Sequence, residues 1–558
     1  MKRQFPAWVT PIILVLTSCL TLFCVEFMQS STLSIWSKNC AVNLAVYVAA
    51  ALVLYAATRS TIVSTIVPSA FFIVLGTINH YMIMFREKPL LPWDLFAVTT
   101  AGKVVSGINF SIDTQIIIGI AGFLIISAIG IIFRRTLKLK FSRIGSLAIA
   151  LVLVAFVYMN LSELRLESWY TVDAARENGM AANLIVNAKT LINPKPAGYS
   201  PDAVRAIVGD GATDGTRTPD IIVVMNESFA DLSMIADLNT NQDVMPFVHS
   251  LKDTNSITGG ARVSVFGGGT CNTEYDFLTG NQSATLRAGS YPMEQFVRDD
   301  TPSIAQTLHT RGYATTGIHP FYANGWSRDI AYPRFGFDRF LSVNDFKDPQ
   351  IFREYISDRE SYKKVREVLE SGNDTPQFVF NITMQNHMGY DKKFSNFKED
   401  ITIPEAAKFP QAERYLSLAH ESDRAISELV TYIKGRKRPT ILLFFGDHLP
   451  AIEDGYYELL KERGKLSDAE FNAKKYTVPF FITANFDIPK REYAQVSASL
   501  LSGILLEAAD APRSSYQAYL AQMAKTNPLV SGTAEAQYHM VQYNQVFDKK
   551  HRIEDLFK

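Results

Sequence analysis

The chain has 558 residues, 55 acidic and 55 basic side chains, and 47% hydrophobic residues. That length exceeds one ordinary hydrophobic core, so at least two units are expected. Zero net charge gives no support for a nucleic-acid-binding protein. The cysteines are Cys19, Cys24, Cys40 and the distant Cys271, which excludes a disulfide framework over the later part of the chain.

Apolar stretches fill the first third, at about 7–28, 41–58, 62–84, 114–133 and 145–162. Each approaches the ~20 residues that cross a bilayer. Such stretches in succession predict a transmembrane domain of five spans over 1–163, and not the buried helices of a soluble protein. The first run is long and no small-residue cleavage site follows it directly, so it reads as a span and not as a cleaved leader. Lys2 and Arg3 precede the first span, and Arg59 separates the second and third. Arg134, Arg135, Lys138, Lys140 and Arg143 crowd the fourth connection. All these charges fall on one side, which the positive-inside tendency assigns to the cytoplasm. An odd number of spans then places the remainder outside. The loop Phe85–Phe96 combines aromatics, prolines and charges, and Trp93 suits the headgroup layer.

Residues 164–217 are mixed and polar and read as a connector. After Pro219 short apolar runs alternate with longer helical patterns. Ile221–Met225, Phe378–Ile382, Thr440–Phe445 and Val478–Ile482 are predicted strands; Ser303–Arg311, Ala412–Tyr432 and Ala494–Ala508 are predicted helices. This alternation favours an α/β domain over 218–525, mostly a parallel sheet flanked by helices. Residues 526–558 are expected to form a small C-terminal subdomain, with an edge hairpin around Gln545–Ile553.

Three distant pieces would together make one site. Glu227 closes the apolar run Asp220–Glu227, and Asp447-His448 closes Ile441–His448. Open parallel sheets gather such strand ends along one edge. Thr270 follows Gly267-Gly268-Gly269 at the mouth of an expected helix. Carboxylates and imidazole ligate a divalent cation, and mixed oxygen and nitrogen donors suit manganese, zinc or magnesium better than a soft metal. Thr270 is the candidate nucleophile, since a bound metal both activates a hydroxyl and neutralises phosphate oxygens. The glycines let backbone amides approach a phosphate at the helix N-terminus.

Asn226-Glu227-Ser228-Phe229, Gly269-Thr270-Cys271-Asn272-Thr273-Glu274, Trp326-Ser327-Arg328-Asp329, Asn386-His387 and Gly446-Asp447-His448 resemble the lipoteichoic acid synthase family of membrane phosphoglycerol transferases. The spans and the Pro89–Asp94 loop are similar too. The resemblance implies an alkaline-phosphatase/sulfatase-like fold. It also implies one divalent cation, usually Mn2+ or Mg2+, on Glu227, Thr270, Asp447 and His448. By the same resemblance Trp326, Arg328 and His387 contact glycerol phosphate, and His319 joins the substrate shell. An arginine fork suits phosphate oxygens, and a histidine can serve a departing or arriving oxygen. The implied donor is phosphatidylglycerol and the implied acceptor a glycolipid or polyglycerol-phosphate chain, at the membrane surface. Two places depart from the family pattern. Met225 stands where members often carry a histidine, and Phe321-Tyr322-Ala323-Asn324 stands where an acidic residue often precedes the tryptophan.

Other readings stay open at this point. A sulfatase needs a Cys/Ser-x-Pro-x-Arg segment, and Cys271-Asn-Thr-Glu-Tyr lacks its proline and arginine. A phosphoethanolamine transferase shares the threonine nucleophile but typically has more cysteines outside the membrane. Single glycerol phosphates could be attached to a surface glycan, and an inactive membrane-anchored protein could bind teichoic acid or glycan.

Overall fold

A computed structural model of the chain describes residues 5–30, 39–86, 89–92, 94, 112–134, 142–166, 171–189, 193–286, 290–372 and 374–558. It forms two compact units, Met1–Asn193 with Arg287–Gly289, and Pro194–Leu286 with Ser290–Lys558.

The first unit contains Val9–Ser30, Cys40–Thr58, Thr61–Arg86, Thr114–Ile132 and Ser142–Asn160. Among the described residues these supply five helices long and apolar enough to cross a membrane, where the hydropathy pattern places them. Several polar groups inside the bundle are hydrogen-bonded, as burial favours, although the Thr10 and Tyr47 hydroxyls have no hydrogen-bond partner among the described residues. Thr21 and Ser69 hydroxyls meet at 2.7 Å, and His80 Nε2 meets Asp113 Oδ2 at 2.7 Å. Glu26 Oε1 accepts from the Met180 amide at 3.0 Å. Asn43 donates to Asn178 O at 2.6 Å and accepts from the Ala182 amide at 2.9 Å. Glu26 and His80 are thus committed to structural bonds, and the helices Thr171–Asn178 and Met180–Ala188 are fastened to the spans. Trp93 lies outside the described residues.

The second unit is built on strands β1 Asp220–Asn226, β2 Ile257–Arg262, β3 Ala314–Ile318, β4 Arg339–Leu341, β5 Ile351–Phe352, β6 Tyr355–Ile356, β7 Gln377–Ile382, β8 Thr440–Gly446, β9 Thr477–Ala484 and β10 Arg491–Ser497. The main sheet runs β10-β2-β9-β8-β1-β7-β3-β4, while β5 and β6 form a separate hairpin. Within the sheet only β9 runs against its neighbours; the other pairs are parallel. The central strands β1, β7 and β8 are buried along their whole length, which is why they read as continuous apolar runs without alternation.

Two expected elements differ. Ala494–Ser497 is the end of edge strand β10, and the helix begins only at Leu501. The buried residues of β10 are Tyr493, Val496 and Ser497, an i, i+3, i+4 spacing across the register break between Tyr493 and Val496 that resembles a helical pattern over a short window. The hairpin expected around Gln545–Ile553 is instead the end of the helix Thr533–Val546 followed by a turn without strand. Tyr538 and Val541, three residues apart, share the inner face of that helix and join the main core of the second unit.

Candidate functional site

Register brings the first two site pieces together. Asn226 of β1 pairs with Gly446 of β8, so Glu227 and Asp447 are the next residues side by side at the carboxyl end of the sheet. Glu227 begins a sharp turn: Ser228 has φ 50°, its amide donates to Asp447 Oδ1 at 2.7 Å, and its hydroxyl donates to Glu227 Oε1 at 3.0 Å. Tyr415 clamps this turn, donating to Ser228 O and Ala230 O at 2.8 and 2.9 Å. The turn lies directly over Gly446, where an added Cβ would sit 1.8 Å from Phe229 O.

Thr270 arrives from the other side. Gly267, Gly268 and Gly269 have φ of 70°, 138° and 93°, a left-handed run that side-chain-bearing residues do not tolerate. It ends at the helix Thr270–Thr279. Thr273 ties that helix to the end of β8 by donating to Asp447 O at 2.8 Å, and Thr270 Oγ1 donates to Glu227 Oε2 at 3.2 Å. Cys271 is fully buried in the apolar core.

Glu227, Asp447 and His448 bring one ligand atom each within 4.8 Å of one another. His448 Nδ1 lies 2.9 Å from Leu449 O; a carbonyl only accepts, so Nδ1 carries the proton. The lone pair on Nε2 therefore faces Asp447 Oδ2 at 3.2 Å and Glu227 Oε1 at 3.6 Å. Buried electron-pair donors converging on one point repel unless a cation lies between them. Burial carries Asp447 up to about 7. Burial, with the Asp447 charge adding to it, also raises Glu227. Burial holds His448 below its ordinary value, so the imidazole is neutral. Two carboxylates, a neutral imidazole and a hydroxyl fit a hard or borderline divalent cation.

The remaining predicted residues ring this centre. His319 follows β3 and is buried, with Nδ1 3.4 Å from Ile382 O; burial and then the Arg328 charge hold it well below its ordinary value. Trp326 and Ser327 both have left-handed backbones, φ 55° and 54°. The Trp326 ring lies 5.4 Å from that of Tyr291. Strained residues of this kind gather at ligand clamps. Arg328 is committed along one edge to Glu274: Nε donates to both carboxylate oxygens at 3.0 and 3.1 Å, and Nη2 also pairs with Oε1. Its Nη1 is 3.3 Å from Gly325 O. His387 follows β7 and meets Tyr355 OH at 3.0 Å through Nδ1. Asn226 and Asn386 face inward instead. Asn386 donates to Asn226 Oδ1 at 3.2 Å, and Asn226 donates to Asp358 and Tyr362 at 2.7 and 2.9 Å. They brace the ends of β1 and β7.

Residues with little or no sequence signature complete the site: Glu274 holds Arg328 and accepts from Tyr332 OH at 2.9 Å, Thr383 Oγ1 accepts from the Glu227 amide at 3.1 Å, and Tyr355 and Arg353 contact His387. Glu274 lies one helical turn after Thr270, a spacing that puts both on one face; that is the one signal available for it. The others come from elements distant in sequence: Tyr332 from the helix Arg328–Arg334, Thr383 from just past the end of β7, and Arg353 and Tyr355 from the β5–β6 hairpin.

A mostly parallel sheet whose strand ends gather two carboxylates and an imidazole, with the hydroxyl of a helix N-terminus beside them, has the alkaline-phosphatase/sulfatase-like fold. Residues 219–511 match the family model described as Sulfatase, and the chain belongs to that family. A protein of Rhizobium meliloti (strain 1021) named for cyclic beta-1,2-glucan modification is 30% identical over 368 residues. The match covers 64% of this chain and 56% of that one, so it spans little more than half of the relative. A lipoteichoic acid synthase of Staphylococcus aureus (strain USA300) is 25% identical over 167 residues, 29% of this chain and 25% of that one. Among solved structures, the Streptococcus pyogenes phosphoglycerol transferase GacH in complex with sn-glycerol-1-phosphate matches with TM-score 0.54 and 22% identity. That match covers 65% of this chain and 99% of the other, and shows a shared fold.

Proposed function

We propose that this protein is a membrane-anchored phosphoglycerol transferase that moves glycerol phosphate from phosphatidylglycerol, through a Thr270-linked intermediate, to a surface acceptor. The observation that carries the reading is the Thr270 hydroxyl, 3.2 Å from Glu227, at the edge of the Glu227–Asp447–His448 cluster. A formylglycine sulfatase is disfavoured within the family, because Cys271 is buried in the apolar core and Cys271-Asn-Thr-Glu-Tyr lacks the proline and arginine of the formylglycine segment. The charge pattern of the spans supports placing residues 194–558 outside the cytoplasm, where a lipid phosphodiester is at hand and nucleotides are not.

Glu227, Thr270, Asp447 and His448 would hold the cation, which when bound supplies a lowered hydroxyl pKa and neutralises phosphoryl oxygens. Thr270 Oγ1 attacks phosphorus as its proton passes to Glu227 Oε2, the atom it already faces. The bond from phosphorus to the diacylglycerol oxygen breaks, and His387 gives that oxygen a proton. In the second step the acceptor hydroxyl attacks phosphorus and returns a proton to His387. Thr270 leaves and recovers its proton from Glu227. The N-terminus of the helix Thr270–Thr279 favours the phosphate charge, while Arg328, oriented by Glu274, and Trp326 line the glycerol phosphate site.

A second reading concerns the acceptor. Attachment of single glycerol phosphates to a glycan is favoured by the name of the cyclic-glucan relative and by Tyr322, 63% exposed on the loop before Trp326, where an aromatic face can stack on a sugar ring. A glycolipid or polyglycerol-phosphate chain is the alternative.

The test uses full-length protein in detergent with phosphatidylglycerol labelled in its acyl chains. Metal-dependent release of diacylglycerol is expected, with a glycerophosphoryl adduct visible by intact mass. Thr270→Ala is expected to lose both. Undiminished release by Thr270→Ala, or release indifferent to chelation, refutes the mechanism. Supplying either a neutral glucan or a polyglycerol phosphate then identifies the acceptor.

A further inference from the structure

We propose that the β5–β6 hairpin is a positioning device for His387, in which Tyr355 holds the imidazole with its proton on Nε2, ready for the departing oxygen. The proposal rests on the reading of His387 given above.

The hairpin turns through Arg353 and Glu354, and Arg353 has φ 56°, a left-handed conformation that favours glycine. Asn396 pins the turn by donating to Ile351 O and Arg353 O at 3.1 and 3.0 Å. The Arg353 side chain is directed inward and buried, 6% exposed. Its Nη2 donates to His387 O at 2.6 Å and Met388 O at 2.7 Å, fixing the backbone that carries the histidine. Its guanidinium carbon lies 5.6, 5.2 and 5.9 Å from the ring centres of Tyr355, Tyr390 and Phe394. Nε and Nη1 of Arg353 have no hydrogen-bond partner among the described residues. The charge is therefore held chiefly by aromatic faces and two carbonyls.

This cation decides the direction of the neighbouring bond. Tyr355 OH and His387 Nδ1 are 3.0 Å apart, with ring centres 5.3 Å apart. A cation over the phenol ring stabilises partial negative charge on its oxygen, which makes the O–H a better donor and a poorer acceptor. Tyr355 thus donates to Nδ1, and a neutral imidazole that accepts at Nδ1 carries its proton on Nε2. Burial, and the charges of Arg353 and Arg328, favour the neutral ring against the opposing pull of Glu227. In the first step the Thr270 Oγ1–phosphorus bond forms as the Thr270 proton passes to Glu227, the phosphorus–diacylglycerol oxygen bond breaks, and the Nε2 proton moves to the departing oxygen while the Tyr355 hydroxyl proton follows onto Nδ1, so that the ring stays neutral and the phenolate faces the Arg353 cation. In the second step the acceptor hydroxyl returns a proton to Nε2, the Nδ1 proton returns to Tyr355, and Thr270 leaves with the proton held by Glu227.

The experiment compares full-length wild type and Tyr355→Phe on two donors: phosphatidylglycerol, whose alkoxide leaving group needs a proton, and the 4-nitrophenyl diester of glycerol phosphate, whose leaving group does not. Loss of one positioning hydrogen bond is expected to lower kcat on the lipid about tenfold, with little change in KM. On the nitrophenyl diester kcat should stay within about twofold of wild type. Arg353→Lys, which keeps a cation, should retain more activity on the lipid than Arg353→Met. Misfolding scales both donors alike, so equal losses on the two, or no loss on the lipid, overturn the proposal. If wild type turns over neither donor, or Thr270→Ala keeps full turnover, the phosphoglycerol reading fails instead. The tautomer is then read directly by nitrogen-15 NMR of histidine-labelled full-length protein, with His387 assigned by difference from His387→Gln. A proton on Nε2 supports the assignment, and a proton on Nδ1 overturns it.

Discussion

Glu274→Gln isolates the most heavily loaded contact of the site. The Glu274 side chain is fully buried and that of Arg328 is 3% exposed. The carboxylate accepts from Arg328 Nε through both oxygens and from Tyr332 OH at 2.9 Å. Glutamine keeps the shape but removes the charge, and turns an NH2 group toward either the guanidinium or the Tyr332 hydroxyl. An uncompensated buried charge of this kind costs about 3–5 kcal/mol. Trp326, two residues from Arg328, supplies the assay, because the other tryptophans, Trp8, Trp36, Trp93 and Trp169, all precede the second unit. Replacing those by phenylalanine leaves a fluorescence signal that reports denaturant unfolding of the second unit alone. The expected result is a fall in unfolding free energy of about 3–5 kcal/mol for Glu274→Gln. The double variant Glu274→Leu with Arg328→Met removes both charges, and should recover to within about 2 kcal/mol of wild type while remaining inactive in the proposed diacylglycerol-release assay. A single-variant loss below about 1 kcal/mol would place the pair among inconsequential ion pairs. A double variant as unstable as the summed singles would refute the desolvation argument.

Removing metal should make stability depend on pH with a definite sign. Asp447 holds its proton up to about 7 in the fold but releases it near the usual carboxylate value, about 4, when unfolded. The folded state therefore binds more protons across that window, and chelated protein should lose stability as pH rises from about 4 to 7. Added Mn2+ should reverse the trend, and at a hundredfold above its Kd should restore about 2.7 kcal/mol; a flat or rising profile in chelator contradicts this. Gly446→Ala forces a Cβ to 1.8 Å from Phe229 O, so a loss on the order of 3 kcal/mol, or no accumulation of folded protein, is expected in expression and unfolding assays. Asn43→Leu strands the Asn178 carbonyl and the Ala182 amide. It should destabilise the membrane unit by about 2–4 kcal/mol in detergent, visible as earlier heat aggregation at unchanged signal from Trp326.

Much of the architecture was readable because burial writes itself into hydropathy. The spans appear as apolar runs of bilayer length, and β1, β7 and β8 as short continuous apolar runs, since strands covered on both faces have no alternating pattern to disguise them. Glu227 and Asp447-His448 announced themselves as polar residues ending such runs. Edge elements were less legible. β10 and the C-terminal helix Thr533–Val546 are part-exposed, so their periodicity is weak, and each was read as the wrong type.

What the linear sequence determined here is therefore the list of elements and the residues at their ends: apolar spans, buried strands, and a glycine run before Thr270. Only the tertiary structure decided which ends meet. The Asn226–Gly446 register sets Glu227 beside Asp447, and the left-handed run of Gly267–Gly269 turns Thr270 toward them. The reach from Glu274 to Arg328, and from Tyr355 and Arg353 to His387, crosses loops whose composition gives no warning of it. The reason is physical. Burial depends on each residue's own chemistry and leaves a local trace, whereas hydrogen bonds and charge pairing depend on a partner tens or hundreds of residues away, which the chain specifies only by folding.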